Sequence, residues 1–143
     1  MKVEFTVPGV PVGKGRPRFV RATGRTYTPD KTLVYENWVR ECWRNAHAPK
    51  LQGEIWAFIT AYFPIPQSAT KKAKKAMGEG EIWYGKKPDS DNLAKAVLDS
   101  LNGLAYNDDA QVTYLVVSKL YSDDPRCKVT LKERPSAAPP EGD

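Results

Sequence analysis

Residues 87–112 read Lys-Pro-Asp-Ser-Asp-Asn-Leu-Ala-Lys-Ala-Val-Leu-Asp-Ser-Leu-Asn-Gly-Leu-Ala-Tyr-Asn-Asp-Asp-Ala-Gln-Val. Apolar side chains recur here every three or four residues, as they do on the buried face of a helix. The stripe consists of Leu93, Val97, Leu98, Leu101 and Leu104. The spacing predicts a helix over residues 92–101, with Pro88 before it and Asp89 or Asp91 in position to cap its first turn.

The same segment holds five aspartates, although the chain has a formal charge of +5. Asp91, Lys95 and Asp99 are four residues apart, so they lie on one helix face with about 5.4 Å between turns. Asp89 precedes the helix, and Asp108 and Asp109 follow it after a loop. As separate features, these acids would be helix caps, a partner for Lys95 and a turn. Because gathered like charges cost energy unless a cation lies among them, we interpret the cluster as a divalent-metal site.

Two other acid-rich sites fit the residues less well. A calcium-binding EF-hand loop starting at Asp89 would need glycine at its sixth position and glutamate at its twelfth, where the chain has Ala94 and Ser100. A glycosidase with paired carboxylates leaves the basic segments of the chain without a purpose. Phosphate chemistry is therefore the preferred interpretation.

The region from Gly13 to Arg25 carries basic side chains and no acid, namely Lys14, Arg16, Arg18, Arg21 and Arg25. An arginine guanidinium can donate two parallel hydrogen bonds to phosphate oxygens, and the ring of Phe19 can stack on a base. We predict that this basic arm contacts DNA together with Lys86 and Lys87, the alternative being a solvated loop. A second basic group could contact phosphate, but its pattern is at least as typical of an ordinary exposed helix face. It consists of Lys71, Lys72, Lys74 and Lys75.

Length and composition indicate one domain. The 143 residues are 41% hydrophobic, which is enough for one core, and no apolar run approaches the roughly 20 residues of a membrane span. We expect a soluble cytoplasmic protein without a secretory signal, with a domain over residues 1–134 and a disordered tail over residues 135–143. Cys42 and Cys127 are expected in the core. Any histidine-based mechanism would have to use His47, the single histidine of the sequence, which is more typical of an exposed helix end.

The remaining patterns predict an α+β fold, a two-layer α/β sandwich in which helices pack on one face of a small mixed sheet. Strands are predicted at residues 2–7, 16–20, 25–28, 54–63, 111–121 and 128–133, the last two as a hairpin across Ser-Asp-Asp-Pro. Helices are predicted at residues 29–46 and from about residue 68. The apolar stripe of the first helix, with Trp38 and Trp43, is expected either in the core or at a dimer face.

The run Asp89-Ser90-Asp91-Asn92-Leu93-Ala94-Lys95, followed by Asp99 and by Asp108-Asp109-Ala110-Gln111-Val112, resembles the signature of RusA-type Holliday junction resolvases, which phages and prophages often carry. The order of elements and the N-terminal Gly-Lys-Gly-Arg-Pro-Arg are similar as well, so the resemblance covers most of residues 1–133.

The resemblance implies a homodimeric endonuclease that nicks four-way DNA junctions symmetrically in recombination and repair, using Mg²⁺ with Mn²⁺ as an alternative. It assigns the catalytic acids to Asp89, Asp91 and Asp109, with Asp108 as the other candidate for the third acid, and the functional lysine to Lys95. The expected location is the cytoplasm of a bacterial or phage-infected cell. The rival functions are a branched-DNA-binding protein without activity and a nuclease of the same fold that acts on flaps or forks.

Overall fold

A mixed four-stranded sheet forms one layer of the protein in a computed structural model that describes residues 1–135. In chain order the elements are β1 (Lys2–Pro8), β2 (Arg18–Val20), β3 (Arg25–Tyr27), α1 (Asp30–Asn45), β4 (Ile55–Pro64), α2 (Lys71–Gly78), α3 (Ser90–Ser100), a 3₁₀ turn (Asp109–Gln111), β5 (Val112–Ser122) and β6 (Arg126–Glu133). The sheet order is β1-β6-β4-β5, and β2 pairs with β3 in a separate hairpin.

Strand β4 lies at the centre and determines the topology. It pairs in parallel with β5 on one side and antiparallel with β6 on the other. The predicted hairpin between the last two strands is therefore wrong, because β4 separates them. The connection at residues 123–125 is long enough to cross one strand, since strands lie about 4.8 Å apart and each residue spans about 3.3 Å. The turn signal marked a reversal of direction and did not identify the neighbouring strand.

Helices α1 and α3 pack together against one face of this sheet, which confirms the predicted α+β sandwich. Alternate residues of β1 and β4 are buried and join α1 and α3 in one hydrophobic core. The predicted apolar stripe of α3 is largely in that core, with Val97 and Leu101 at most 1% exposed. Leu93, also 1% exposed, packs with Ala61 and Phe63 in a second, smaller cluster. Cys42 and Cys127 are buried there as expected.

The stripe of α1 divides between the core and the surface. Its residues Tyr35, Val39 and Trp43 are buried, so most of the stripe is intramolecular core. Val34 and Trp38 are 69% and 41% exposed on the same helix. Of the predicted stripe of α1, the exposed edge with Val34 and Trp38 is therefore the part that is not committed to the core.

Some predicted boundaries differ from the structure. Helix α2 begins at Lys71 rather than near residue 68, because the side chain of Thr70 accepts a hydrogen bond from Ala73 N and caps the helix there. No helix within residues 1–135 has the length and apolar character needed to cross a membrane. The predicted tail lies outside the described residues except for Pro135.

A mostly buried ion pair connects the N-terminal segment to α1. The ammonium of Lys14 lies 3.1 Å from a carboxylate oxygen of Glu36, whose side chain is 5% exposed, and 3.4 Å from Asp99 on α3. A buried carboxylate needs such a partner, since removing one member of a buried pair leaves an uncompensated charge. Lys14 therefore links the segment after β1 to α1 and α3.

We predict that Lys14→Met lowers the free energy of unfolding by about 2 kcal/mol, less than for a fully buried pair because Lys14 is partly exposed. Urea unfolding measures this change. The matched control is Lys128→Met, which removes the exposed pair between Lys128 and Glu4 and should cost under about 1 kcal/mol. Equal costs for the two variants would contradict a structural role for Lys14.

Candidate acidic site and basic arm

The first acid of the cluster stands at the start of α3. Asp89 occupies the N-cap position, but its side chain makes no capping hydrogen bond, so the predicted cap is correct in position only. Its carboxylate instead lies 2.8 Å from the ammonium of Lys87, and both side chains are substantially exposed. This hydrogen bond from Lys87 is the main cause that lowers the pKa of Asp89. Asp89 is therefore ionised and accessible.

The charged face of α3 is arranged largely as the spacing predicted. Asp91 lies in the first turn, and Asp91 and Lys95 are exposed. Asp99 lies about two helical turns after Asp91 and is half-buried. Within the described residues its ion pair is with Lys14, not with Lys95 as the simpler interpretation expected. The ammonium of Lys95 is thus free of salt bridges in this part of the chain.

The two acids after α3 have different surroundings. Asp108 caps the 3₁₀ turn: its carboxylate accepts from Ala110 N, while the Gln111 side chain accepts from Asp108 N at 3.0 Å. Asp109 has its backbone N–H bonded to Asn102 Oδ1 at 2.8 Å, which ties the turn to the end of α3. The Asp108 carboxylate is therefore engaged in local structure, whereas the Asp109 carboxyl faces other acids.

Three carboxylates crowd around the end of α3. Hydrogen bonding with Asp108, then partial burial, then Asp99 raise the pKa of Asp109. The buried Tyr106, whose hydroxyl donates to Leu98 O at 2.6 Å, also has a raised pKa, mainly from burial and further from these three acids. Negative charge at this end of α3 thus contributes to both raised pKa values.

The acids form two groups rather than one. Asp91 and Asp99 are eight residues apart on α3, which corresponds to about 12 Å along the helix axis. Within residues 1–135 the structure brings no three acidic, histidine or cysteine side chains into one arrangement that could hold a metal. The donor chemistry nevertheless fits a hard divalent cation, since carboxylate oxygens are its preferred ligands. The carboxylates of Asp108 and Asp99 beside Asp109 also contribute to its raised pKa, and a cation would relieve their repulsion.

The root of the basic arm is packed against the start of the acidic site. Lys14 N donates to Asn92 O at 2.8 Å, in the first turn of α3. A Cβ atom at Gly13 would lie 2.6 Å from Cβ of Pro88, so only glycine permits this approach. Gly15 N donates to the Thr32 side chain at 3.0 Å. The arm therefore leaves the core directly beside the loop that leads to Asp89.

Beyond this root, the arm is exposed and positively charged. Strands β2 and β3 bury no residue, and Phe19 is 62% exposed. Within the described residues no salt bridge involves the arginine side chains at positions 16, 18, 21 and 25. A groove of about 620 Å³ runs between the arm and the loop, and its basic lining residues are Arg16, Arg18, Lys31 and Lys87. Lys14 differs from the other predicted contacts because two carboxylates already neutralise it.

Two functional candidates were missed from the sequence. Lys31 lines the groove from the first turn of α1, and nothing in its local pattern distinguished it from an ordinary helix lysine. The side chain of Lys119 extends from β5 to the backbone just before Asp89, where its Nζ donates a hydrogen bond of 3.0 Å to Pro88 O. A charged residue at an inward position of the strand was the available signal for Lys119.

Comparison with known proteins gives two matches. A family described as endodeoxyribonuclease RusA matches residues 8–132. The chain is also 37% identical over 137 residues to the uncharacterized protein YqaN of Bacillus subtilis (strain 168), with 92% of this chain and 96% of that protein covered. The family match includes the basic arm, α3 and the 3₁₀ turn, so it spans both parts of the candidate site.

Without divalent cations, Asp109→Asn should stabilise the protein by about 2 °C in melting temperature at neutral pH, because it removes one of three repelling carboxylates. The pKa of Asp109 is raised, so this cost of ionisation is present above that pKa and disappears as pH falls through it. Thermal melts in chelator at several pH values measure the effect. Asp123→Asn, in the exposed connection between β5 and β6, is the control, and a destabilised Asp109→Asn at neutral pH would contradict the prediction.

Proposed function

The chain belongs to the RusA endodeoxyribonuclease family, and we propose that it resolves four-way DNA junctions by paired symmetric nicks that require a divalent cation, Mg²⁺ or alternatively Mn²⁺. The observation that carries this proposal is the family match across both the acids and the arm. The packing of the arm root on the loop before Asp89 supports it, because DNA held by the arm would lie beside the acids.

We assign one or two cations to Asp89, Asp91 and Asp109. Asp109 is preferred over Asp108 as the third acid because the Asp108 carboxylate already caps the 3₁₀ turn. When bound, the cation would activate a water for attack on the phosphate and neutralise charge on the leaving oxygen. Asp99 is assigned to structure through its ion pair with Lys14.

Lys95 provides the positive charge between the two groups of acids. It lies one turn after Asp91 and one turn before Asp99, and it is exposed. A fixed ammonium at this point would hold a phosphate oxygen or compensate the acids. The only histidine in the chain, His47, follows α1 and takes no part in the proposed chemistry.

The exposed side chains of the arm are assigned to DNA. Each arginine side chain can donate two parallel hydrogen bonds to phosphate oxygens, and an exposed aromatic ring can stack on an unpaired base. The proposed contacts are Arg16, Arg18, Phe19, Arg21, Arg25, Lys86 and Lys87, with Lys31 added from the groove. Lys14 anchors the arm and is not among them.

Two symmetric nicks require two sites, so we propose that the protein acts as a homodimer whose two-fold axis matches that of the junction. Exposed apolar residues of α1, Val34 among them, offer one surface for the contact. The place of action is the cytoplasm of a bacterial or phage-infected cell, where recombination and repair produce branched DNA. Light scattering of the purified protein measures the oligomeric state.

We predict that Asp91→Asn keeps the affinity for a synthetic four-way junction but reduces cleavage at least about a hundredfold, because the change removes a ligand charge and preserves shape. Gel assays with Mg²⁺, Mn²⁺ and chelator measure cleavage, and binding is measured in chelator. Asp123→Asn is the matched control and should cleave normally.

Wild-type cleavage by Asp91→Asn would contradict the site assignment. A wild-type protein that binds the junction and cuts it with neither cation would instead support the binding protein without activity. Flap, fork and linear duplex substrates in the same assay distinguish a junction resolvase from a nuclease with another preference.

For the arm, replacing Arg16 and Arg18 together by Gln should weaken junction binding and flatten its salt dependence. Each lost phosphate contact lowers the slope of log K against log salt by roughly 0.9. Titrations at several salt concentrations measure the slope. Arg44→Gln, on the exposed end of α1 where Arg44 pairs with Glu41, is the control. An unchanged slope in the double variant would contradict the proposed DNA contacts and support the alternative that the arm is a solvated loop.

A further inference from the structure

Lys119 occupies a position of β5 at which the strand otherwise faces the core. It is paired in register with Ala61 of β4, which is fully buried, and its neighbour along the same face, Tyr121, is 7% exposed. A lysine is costly at such a position unless its ammonium finds partners. The surroundings of Lys119 therefore indicate a specific role for its charge.

The partners of this ammonium belong to the loop that leads into the acidic site. Lys119 Nζ donates to Lys86 O at 2.8 Å and to Pro88 O at 3.0 Å. It also lies 5.6 Å from the ring centroid of Tyr84, a distance at which a cation is attracted to the aromatic face. The Pro88 carbonyl is part of the peptide bond to Asp89, so the contact acts directly on the backbone that carries Asp89.

The backbone of Lys119 binds the same loop. Its carbonyl accepts from Tyr84 N at 3.0 Å, while the Tyr84 hydroxyl donates to Lys87 O at 2.8 Å. The Tyr84 ring stacks on Phe63 of β4 at a centroid distance of 3.9 Å. One residue of the sheet thus holds both ends of the segment from Tyr84 to Pro88, and the stacked ring of Tyr84 fixes the start of the segment against the core.

This loop is otherwise exposed. Lys86, Lys87 and Asp89 are solvent-accessible, and the side-chain pair between Lys87 and Asp89 is on the surface, where such pairs contribute little. The half-buried Lys119 is the charged group that joins the loop to a rigid strand. Surface pairing alone would leave the direction of Asp89 poorly defined.

We propose that Lys119 is a positioning residue of the metal site: its ammonium fixes the carbonyls of Lys86 and Pro88 so that Asp89 points toward the cation. The proposal rests on the proposed function, in which Asp89 is a cation ligand. Lys119 itself contacts neither cation nor DNA. Its removal should therefore change the cation requirement and leave DNA affinity unchanged.

The test compares Lys119→Met, which keeps the aliphatic length and removes the donors, with Lys119→Arg, which restores donors for two carbonyls. Lys128→Met, on the opposite face of the sheet, is the matched control. The concentration of Mg²⁺ or Mn²⁺ for half-maximal junction cleavage should rise about tenfold in Lys119→Met, the scale of ligand-supporting residues, and return to within about threefold in Lys119→Arg.

Junction affinity in chelator and its salt slope should match wild type within about twofold in every variant. A weaker affinity with a lower slope would identify Lys119 as a phosphate contact and overturn the proposal. A reduced cation requirement would also overturn it, since it would mean that the Lys119 charge repels the cation. If Lys119→Met does not fold, Lys119→Gln, with a single amide donor group, carries the test with an intermediate shift.

Hydrogen exchange separates failure of this proposal from failure of the proposed function. In cation-free protein the amide of Tyr84, which donates to the Lys119 carbonyl, should exchange at least about tenfold faster in Lys119→Met than in wild type or Lys128→Met. This measurement needs no nuclease activity. Unchanged exchange in Lys119→Met would overturn the positioning role even if the wild-type protein is an active nuclease. Faster exchange in Lys119→Met, together with a wild-type protein that cuts no DNA, would refute only the proposed function.

Discussion

The insertion of β4 between β5 and β6 is the constraint on which the rest of the structure depends. It makes β5 the outermost strand of the sheet, parallel to β4. The carboxyl-terminal ends of both strands therefore lie at the same end of the sheet. Phe63, Tyr121 and Lys119 lie toward that end, where the ring of Tyr84 packs among them. The loop before α3 is consequently supported by the sheet, although it is exposed itself.

Local patterns predicted much of this fold. The alternation of β1 and the three-and-four spacing of α1 and α3 matched the observed elements to within a few residues, since each of these elements buries one face in the same core. Pairing between strands could not be predicted in the same way. Residues 123–125 form a turn whether β5 and β6 pair directly or lie on either side of β4. The arrangement depends on the pairing of β4 with both strands, which the turn sequence does not determine.

The site was predictable in its residue types more than in its arrangement. Asp91 and Lys95 share a helix face because four residues make about one turn, and this is a local property. The roles of Lys14 and Asp108 depend on contacts that local spacing does not determine: one is neutralised by Glu36 of α1, and the other caps a turn. Lys119 is a stronger case, since its partners lie in a loop far away in sequence.

The contact between Gly13 and Pro88 has a consequence for how this protein can vary. The two residues are distant in sequence, yet there is no room between them for a single methyl group. Any relative that carries a larger residue at the first position must move or replace the second, so the two positions are constrained to change together. The packing of the loop before Asp89 thereby limits which residues the root of the arm can carry.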